Sequence, residues 1–187
     1  MAWGLGLGII IDGNLYYGKS GFSGEFGHFC MFENEVLCHC GKKGCLETEA
    51  SGSAFHRILI ERYREGSNTI LAGKLDSGEE ISLGDLLEAV RKEDVLCIDI
   101  LEKMGVNLGK GIAGLMNIFN PELVILGGTL SLAGEYISLP IKSAIRKYSL
   151  NLVNQDTEIK ISKLGERAGA FGACLLSRSK LLGMIHY

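Results

Sequence analysis

Cys38-His39-Cys40-Gly41-Lys42-Lys43-Gly44-Cys45 is the most informative segment of this chain, because it places three cysteines within eight residues. Zinc takes four thiolate or imidazole ligands in a tetrahedron, and the two glycines let the backbone bring three sulfurs to one point. His28 lies upstream across a predicted hairpin and can supply the fourth ligand. His39 is its rival, although an extended segment would turn its side chain away from those of Cys38 and Cys40. The alternative, three free thiols in a surface loop, is disfavoured because crowded exposed thiols oxidise.

The sequence therefore predicts a closed zinc centre whose ligands are His28, Cys38, Cys40 and Cys45. With all four positions supplied by protein, the ion has no open position for catalysis, and its role is structural. Clustered cysteines favour a metal site in a reducing compartment over a secreted disulfide framework, so a cytoplasmic protein is expected. The three remaining cysteines stand in apolar surroundings, and we expect small core residues at Cys30, Cys97 and Cys174.

The composition is that of a folded, slightly acidic protein: 187 residues, 47% hydrophobic, with a net charge of −3. This length and hydrophobicity predict one domain, or one large lobe of a bigger protein, and exclude a disordered chain. No apolar run approaches the ~20 residues of a membrane span, so no membrane partner is expected. The acidity argues against a DNA-binding face on this segment itself.

Strands and helices alternate after an opening hairpin, which predicts an α/β fold. Leu7–Ile11 is continuously apolar, as in a strand buried on both faces, and Asp12-Gly13 predicts the turn into a second strand over 15–17. A protein rarely begins inside such a strand, so we expect that an N-terminal half is missing. The other predicted elements are strands at 28–32, 123–126 and 158–161 and helices at 46–65, 83–91, 93–119, 133–148 and 168–182. The polar stretch 67–82 is expected to be a loop with one helical turn, and Ser82 is expected to cap the helix at 83–91.

The longest predicted helix, 93–119, has one apolar face but also four glycines that weaken it intrinsically. These glycines are expected where another helix packs at short range; they are Gly105, Gly109, Gly111 and Gly114. This helix and the one at 133–148 are also candidate self-association surfaces, although core packing explains both equally well.

Several motifs, with the gaps between them, resemble the ROK family, named for repressors, open reading frames and sugar kinases. The chain reads Gly4-Leu-Gly-Leu-Gly-Ile-Ile-Ile-Asp-Gly13, then Gly18-Lys-Ser-Gly-Phe-Ser-Gly-Glu-Phe-Gly-His28, then Cys38 to Glu47. Further matches are Asn117-Ile-Phe-Asn-Pro-Glu-Leu-Val-Ile-Leu-Gly-Gly128 and Leu164-Gly-Glu-Arg-Ala-Gly-Ala-Phe-Gly-Ala173. The resemblance covers essentially the whole chain, and the combination is highly specific although any single glycine motif is weak.

The resemblance implies one lobe of an actin-like, ribonuclease-H-like ATPase fold: a mixed sheet flanked by helices, with an inserted zinc loop at about 28–47. By this resemblance, residues 1–187 are expected to form a single C-terminal lobe, with the N-terminal lobe and any DNA-binding domain absent from this chain. In the family, a sugar lies in the cleft between two lobes. The residues that bind its hydroxyls correspond here to Glu25, His28 and Glu47, and the same His also ligates zinc through its other ring nitrogen.

The family contains kinases and repressors, and the residues of the glycine strand favour a repressor. In family kinases the catalytic base is an Asp that follows an Asn upstream of the glycine strand, and the first phosphate loop also belongs to the N-terminal lobe that is expected to be missing. No Asp of this chain follows an Asn. The kinases' second phosphate loop, usually Gly-Thr-Gly, corresponds to Ala2-Trp3-Gly4, in which Trp3 adds bulk and no hydroxyl; a core position between lobes is expected for it. No catalytic residue and no enzymatic activity are therefore expected of this chain. The remnant of the phosphate loops is predicted at Gly4, Gly6, Gly127 and Gly128.

The predicted function is sugar-effector binding and oligomerisation in a ROK transcriptional repressor of carbohydrate metabolism, with a structural zinc supporting the sugar site. The expected partners are a sugar or sugar phosphate, further copies in a homodimer or tetramer, and DNA through the missing N-terminal domain. The alternative is the C-terminal lobe of a truncated ROK sugar kinase, which uses ATP to phosphorylate a hexose or N-acetylhexosamine. A third possibility is a scaffold that binds a partner protein and no sugar.

Overall fold

The computed structural model describes residues 3–183 and begins with a short hairpin. β1 (Ile10–Ile11) and β2 (Asn14–Leu15) pair antiparallel around a two-residue turn, in which Asp12 has φ 51° and Gly13 has φ 77°. Positive φ at both positions is typical of a type I′ turn, so the predicted hairpin is confirmed. The predicted strand buried on both faces is wrong: β1 is two residues long, pairs with β2 alone, and both its residues are exposed.

The predicted metal loop is preceded by one turn of 3-10 helix, Phe26–His28, where a strand over 28–32 was expected. Cys30 makes an isolated antiparallel bridge with Cys45 in place of a regular ladder. His28 therefore reaches the loop through a tight turn, and the hairpin expected between His28 and the cysteines is reduced to isolated backbone pairs.

The helix expected over 46–65 is divided into α1 (Glu47–Ala50) and α2 (Gly52–Arg64). The break falls at Ser51, whose backbone is extended with ψ 171°. Its side chain accepts a hydrogen bond from the Ala54 N–H and so caps α2. A serine in this role satisfies one of the orphan N–H groups of a new helix, which is why the chain changes direction here.

Two shorter helices follow, α3 (Ala72–Ser77) and α4 (Leu83–Arg91), the first being the single helical turn expected in this polar stretch. Ser82 caps α4 as predicted, because its Oγ accepts from the Asp85 N–H while the Asp85 carboxylate accepts from the Ser82 N–H. Lys74 also donates to that carboxylate at 2.7 Å. The hydrogen bond from Lys74 has the largest effect on the pKa of Asp85, and the hydrogen bonds from Ser82 have the next largest. Together they lower this pKa to about 2.

α5 (Val95–Phe119) is the long central helix, as predicted. Its N-cap is Asp94, whose carboxylate accepts hydrogen bonds from the N–H groups of Cys97 and Ile70 and from the hydroxyl of Thr69. Burial pushes the pKa of Asp94 upward, but these hydrogen bonds outweigh that effect and the pKa lies below its ordinary value. The start of α5 is therefore anchored by a buried, fully hydrogen-bonded carboxylate.

α6 (Glu135–Tyr148) packs along α5, and two glycines make the close approach possible. A Cβ on Gly109 would lie 2.6 Å from the Ile141 carbonyl oxygen, and one on Gly105 would lie 2.8 Å from a side-chain carbon of α6. The short-range helix packing predicted from four glycines is confirmed at Gly105 and Gly109, whereas Gly111 faces Phe26 and Leu46 and Gly114 faces open space.

β3 (Leu123–Leu126) and β4 (Glu158–Ile161) form a second, parallel pair at the predicted positions. α6 and α7 (Asn151–Asp156) make the crossover between them, which is a βαβ unit and confirms that helices and strands alternate. α7 was not expected. α8 (Ala168–Leu181) follows and has no buried residue.

The hydrophobic core lies among α2, α4, α5 and α6 and includes Cys97, as expected. Cys30 and Cys174 are exposed, so the core positions predicted for both are wrong. Cys174 belongs to α8, which has apolar neighbours in sequence but buries none of its side chains. Among residues 3–183, no helix combines the length and hydrophobicity that a membrane span requires.

Candidate metal centre and the carboxylates beside it

The four predicted zinc ligands meet at one point. His28, Cys38, Cys40 and Cys45 each offer a donor atom, and these atoms lie within 4.8 Å of one another. The Cys40 and Cys45 sulfurs are 3.6 Å apart, and His28 Nδ1 is 3.5 Å from the Cys38 sulfur. Tetrahedral zinc with Zn–S bonds of ~2.3 Å holds two sulfurs roughly 3.8 Å apart, so the donor set fits the ion. His39 does not belong to this group of described residues.

The loop that carries the three cysteines closes through its own backbone. The Cys38 N–H donates to the Lys42 carbonyl oxygen at 2.8 Å, and the Gly41 N–H donates back to the Cys38 carbonyl oxygen at 2.9 Å. Gly41 and Gly44 have φ of 82° and 77°, in the left-handed region that favours glycine. A Cβ on Gly44 would also lie 2.1 Å from the Phe32 carbonyl oxygen, so the close return of the loop requires glycine here.

The three thiols differ in their tendency to ionise. Burial raises the pKa of Cys38, and burial together with the neighbouring sulfurs raises the pKa of Cys45 to about 12. A hydrogen bond from the Lys42 backbone lowers the pKa of the exposed Cys40. The two buried sulfurs therefore favour either a proton or a metal cation, and a divalent ion is the group that would hold all three as thiolates.

His28 faces the metal donors with one ring nitrogen and Glu25 with the other. Its Nδ1 lies against Cys38, while its Nε2 is 3.7 Å from Glu25 Oε2. The Glu25 side chain is 60% exposed and the His28 side chain is 33% exposed. A metal on Nδ1 would place the ring proton on Nε2, which makes Nε2–H a donor in a defined direction. The structure thus brings two of the three predicted sugar contacts together.

Glu47, the third predicted contact, joins the metal loop to the glycine strand. Its Oε2 accepts the Leu5 N–H at 2.9 Å, and its Oε1 lies 3.8 Å from the Cys38 sulfur. A Cβ on Gly4 would lie 3.0 Å from Oε2, and one on Gly27 would lie 3.3 Å from the Glu47 Cβ. Two glycines therefore make room for this carboxylate, and each of its oxygens keeps acceptor capacity beyond these contacts.

α5 supports the centre from the core side. A Cβ on Gly111 would lie 2.7 Å from Phe26 Cζ and 3.0 Å from Leu46 Cδ2. These two apolar side chains flank the metal ligands in sequence and are buried. The backbone of α5 therefore determines where the turn before the loop and the start of α1 can lie. This close approach explains why position 111 is a glycine although it does not face α6.

Sequence reasoning missed a polar network that holds the loop against the helices. Asn34 Nδ2 donates to Glu49 Oε1 at 2.8 Å, and Arg57 donates to the Thr48 carbonyl oxygen at 2.8 Å. Burial raises the pKa of Glu49, and the charge of Arg57 partly offsets this. These residues share no motif or period, so only their spacing in three dimensions reveals the network.

The glycines assigned to the phosphate-loop remnant lie in two segments, one before β1 and one directly after β3. Gly4 lies beside Glu47, and no atom beyond the chain neighbours of Gly6 comes within 4 Å of a Cβ built there. Gly127 and Gly128 follow β3, where Gly128 has φ 85° and precedes a 3-10 helix over Thr129–Ala133.

Trp3 is 45% exposed and lies near the N-terminus of α2, so within this chain it is not a core residue. Its carbonyl oxygen accepts the Ser53 N–H at 3.1 Å, and its ring meets that of His56 edge to face with centroids 6.0 Å apart. Ala2, which precedes it in the predicted loop, lies outside the described residues. At the second position of the predicted phosphate loop the chain therefore carries a bulky, exposed indole.

The fold and the site define a class: an α/β protein with a Cys₃His metal-binding loop beside two carboxylates. A family model described as the ROK family matches residues 1–180. The chain therefore belongs to the ROK family.

Relatives of two kinds are similar to this chain. A glucokinase of Halalkalibacterium halodurans is 36% identical over 170 residues, covering 90% of this chain and 52% of the relative. A xylose repressor of Caldicellulosiruptor bescii is 33% identical over 188 residues, covering 98% of this chain and 46% of the relative. The chain thus spans about half the length of these relatives.

Two solved structures share the fold. A ROK family glucokinase from Streptomyces griseus, in complex with glucose and AMPPNP, superposes with a TM-score of 0.83 at 31% identity, over 96% of this chain and 59% of that one. A ROK family transcriptional regulator, a homologue of the E. coli MLC protein, superposes with a TM-score of 0.78 at 36% identity, over 86% of this chain and 40% of that one. The actin-like ATPase fold of the family is therefore the fold to which this chain contributes.

Proposed function

We propose that this chain is the sugar-effector-binding and oligomerisation lobe of a ROK-family transcriptional repressor of carbohydrate metabolism. One observation carries the proposal: His28 stands between the metal donors on its Nδ1 side and the Glu25 carboxylate on its Nε2 side. Zinc on His28, Cys38, Cys40 and Cys45 would close the loop and fix the imidazole, and it would supply no further chemistry.

The polar groups beside the metal donors suit the hydroxyls of a sugar. Glu25 presents an exposed carboxylate, and the adjacent His28 Nε2–H would be a donor of fixed direction. Glu47 keeps acceptor capacity beyond its bond from Leu5. Hydrogen bonds between hydroxyls and carboxylates are charge-assisted, so few contacts are enough to orient a sugar or sugar phosphate.

Trp3 supports a regulator over a kinase. Phosphate loops bind through backbone N–H groups and small hydroxyl side chains, and the indole of Trp3 offers neither at this position. We therefore propose no catalytic role for this chain, in agreement with its similarity to a xylose repressor.

In this proposal, 1–187 is one C-terminal lobe with its zinc loop at about 28–47, inside a cytoplasmic protein that forms a homodimer or tetramer. A sugar that prefers the closed arrangement of two lobes would shift the population toward it. That shift would reach DNA through a domain outside this chain. His28 and Glu47 would couple the events, since both contact the sugar and both touch the metal loop.

The test is sugar binding by the intact gene product, measured by titration calorimetry with glucose, xylose and N-acetylglucosamine. Glu25→Gln should weaken the preferred sugar roughly tenfold or more, because a hydrogen bond to a charged group contributes about 1.5–3 kcal/mol. Glu33→Gln is the matched control: it neutralises another exposed carboxylate near the loop and should change nothing. If no sugar binds the zinc-loaded wild-type protein, the proposed function is wrong, and a scaffold that binds only a partner protein becomes the better interpretation.

The second candidate is the C-terminal lobe of a ROK sugar kinase, which the similarity to the glucose- and AMPPNP-bound glucokinase favours. It predicts that ATP raises the melting temperature of the intact protein and that a hexose or N-acetylhexosamine is phosphorylated. ADP release with glucose or N-acetylmannosamine, absent without the sugar, would establish this function in place of the repressor.

A further inference from the structure

Cys30 lies outside the four metal donors but directly opposite one of them. An isolated antiparallel bridge pairs Cys30 with Cys45. The bridge is held by the Met31 N–H on the Gly44 carbonyl oxygen at 2.8 Å and by the Leu46 N–H on the Phe29 carbonyl oxygen at 2.9 Å. These bonds flank the two cysteines, so they form a non-hydrogen-bonded pair, the type in which opposing side chains come closest.

This type of pair suits a disulfide. Opposing Cα atoms in a non-hydrogen-bonded antiparallel pair are about 4.5 Å apart, and disulfides join Cα atoms that are about 4.4–6.8 Å apart. The Cys30 sulfur already lies over the segment that leads to Cys45, 3.8 Å from the Lys43 carbonyl oxygen and 3.1 Å from the position of a Cβ on Gly44.

The two thiols differ in solvent exposure and in whether they bind the metal. Cys30 is exposed, whereas Cys45 retains 1% of its accessible surface. When a metal occupies the centre, its three cysteine sulfurs are ligands, and Cys30 is the free thiol of the loop region. Cys40 is exposed as well but would be held as a metal ligand, so Cys30 is the exposed thiol of this region that an oxidant can reach without displacing the metal.

We propose that Cys30 is a redox trigger that forms a disulfide with Cys45 and thereby releases zinc from the centre. This rests on the zinc site of the proposed function. With hydrogen peroxide as oxidant, the Cys30 sulfur gives up two electrons and takes one oxygen atom to become a sulfenic acid, and one water leaves. The Cys45 thiolate then attacks that sulfur, the S–O bond breaks, and the departing hydroxide takes up a proton as a second water.

The disulfide removes one of the four ligands from the metal. His28, Cys38 and Cys40 are left, and a three-ligand site holds zinc more weakly than a closed tetrahedral one. The loop that places His28 beside Glu25 is then no longer closed by the metal, so oxidation would also weaken sugar binding. Reduction by a thiol reverses the step and lets zinc return.

The test uses the zinc-loaded chain, treated with hydrogen peroxide, with a colorimetric chelator reporting released zinc. Cys30→Ser should release zinc roughly fivefold more slowly than wild type, because the accessible thiol is gone while all four ligands remain. Cys174→Ser, which removes another exposed cysteine, should behave as wild type. Non-reducing peptide mapping of the oxidised wild type should show a Cys30–Cys45 crosslink.

Equal zinc release from wild type and Cys30→Ser, or a map that shows Cys40 joined to Cys45, would overturn the trigger while leaving the zinc centre intact. Absence of zinc from the freshly purified, unchelated wild type would overturn the metal centre itself, and the trigger with it. Equal zinc content in the untreated variants shows that serine at position 30 leaves the loop folded.

Discussion

Replacing Gly109 by alanine tests the packing of α5 on α6. The new Cβ would lie 2.6 Å from the Ile141 carbonyl oxygen and 2.7 Å from the Ala144 Cβ. The first atom is backbone and cannot rotate away, so the helices must separate. Overpacking costs about 1–3 kcal/mol, with the upper half expected here, and alanine regains roughly 1 kcal/mol of helix propensity. The net loss is about 1–2 kcal/mol in the free energy of unfolding.

Gly114→Ala is the matched control in the same helix, because nothing lies within 4 Å of its added Cβ. It should stabilise the protein by up to about 1 kcal/mol through helix propensity alone. Urea unfolding followed by circular dichroism measures both variants, and unchanged slopes show that the midpoints report stability. The thermal midpoints should differ by on the order of 5–10 °C. If Gly109→Ala unfolds at or above the wild-type midpoint, α5 and α6 are not packed as closely as described.

Two further predictions concern the metal and pH. Removing zinc with a chelator should lower the unfolding free energy by about 2.7 kcal/mol, relative to protein at free zinc about 100 times its dissociation constant, as thermal unfolding with and without zinc will show. A zinc-independent midpoint would mean that the ion does not bind the folded loop. Asp85 has its folded pKa lowered from 3.8 to about 2, so its stabilising effect is present above about pH 4 and is lost as pH falls through 2. Urea midpoints between pH 5 and pH 2 should therefore show Asp85→Asn less stable than wild type by roughly 1 kcal/mol at pH 5, with the difference shrinking toward pH 2. A difference that does not change with pH would contradict this assignment.

Local patterns in the sequence were enough to predict several elements. The Asp12-Gly13 turn, the Ser82 cap and the α5 helix each depend on residues within a few positions of one another, and each is confirmed. The break at Ser51 was missed, since a serine inside an apolar helical pattern reads as a helix residue until its side chain is seen to accept the Ala54 N–H.

The site shows the same division. Spacing and chemistry alone pointed to His28 with the cysteines, because zinc requires four donors and the loop offers few. The partners of Glu47 were beyond sequence reasoning, since its bond from Leu5 joins residues 42 positions apart.

What the sequence determined by itself is the metal donor set, the positions of α4, α5, β3 and β4, and the two glycines at which α5 meets α6. These follow from residue chemistry and from periods of a few residues. Only the tertiary structure decided that His28 divides its two nitrogens between Cys38 and Glu25, and that Cys30 stands opposite Cys45. Such contacts depend on how distant backbone segments are placed by the core, and Phe26, Leu46 and Gly111 do that placing through van der Waals contact that no local pattern records.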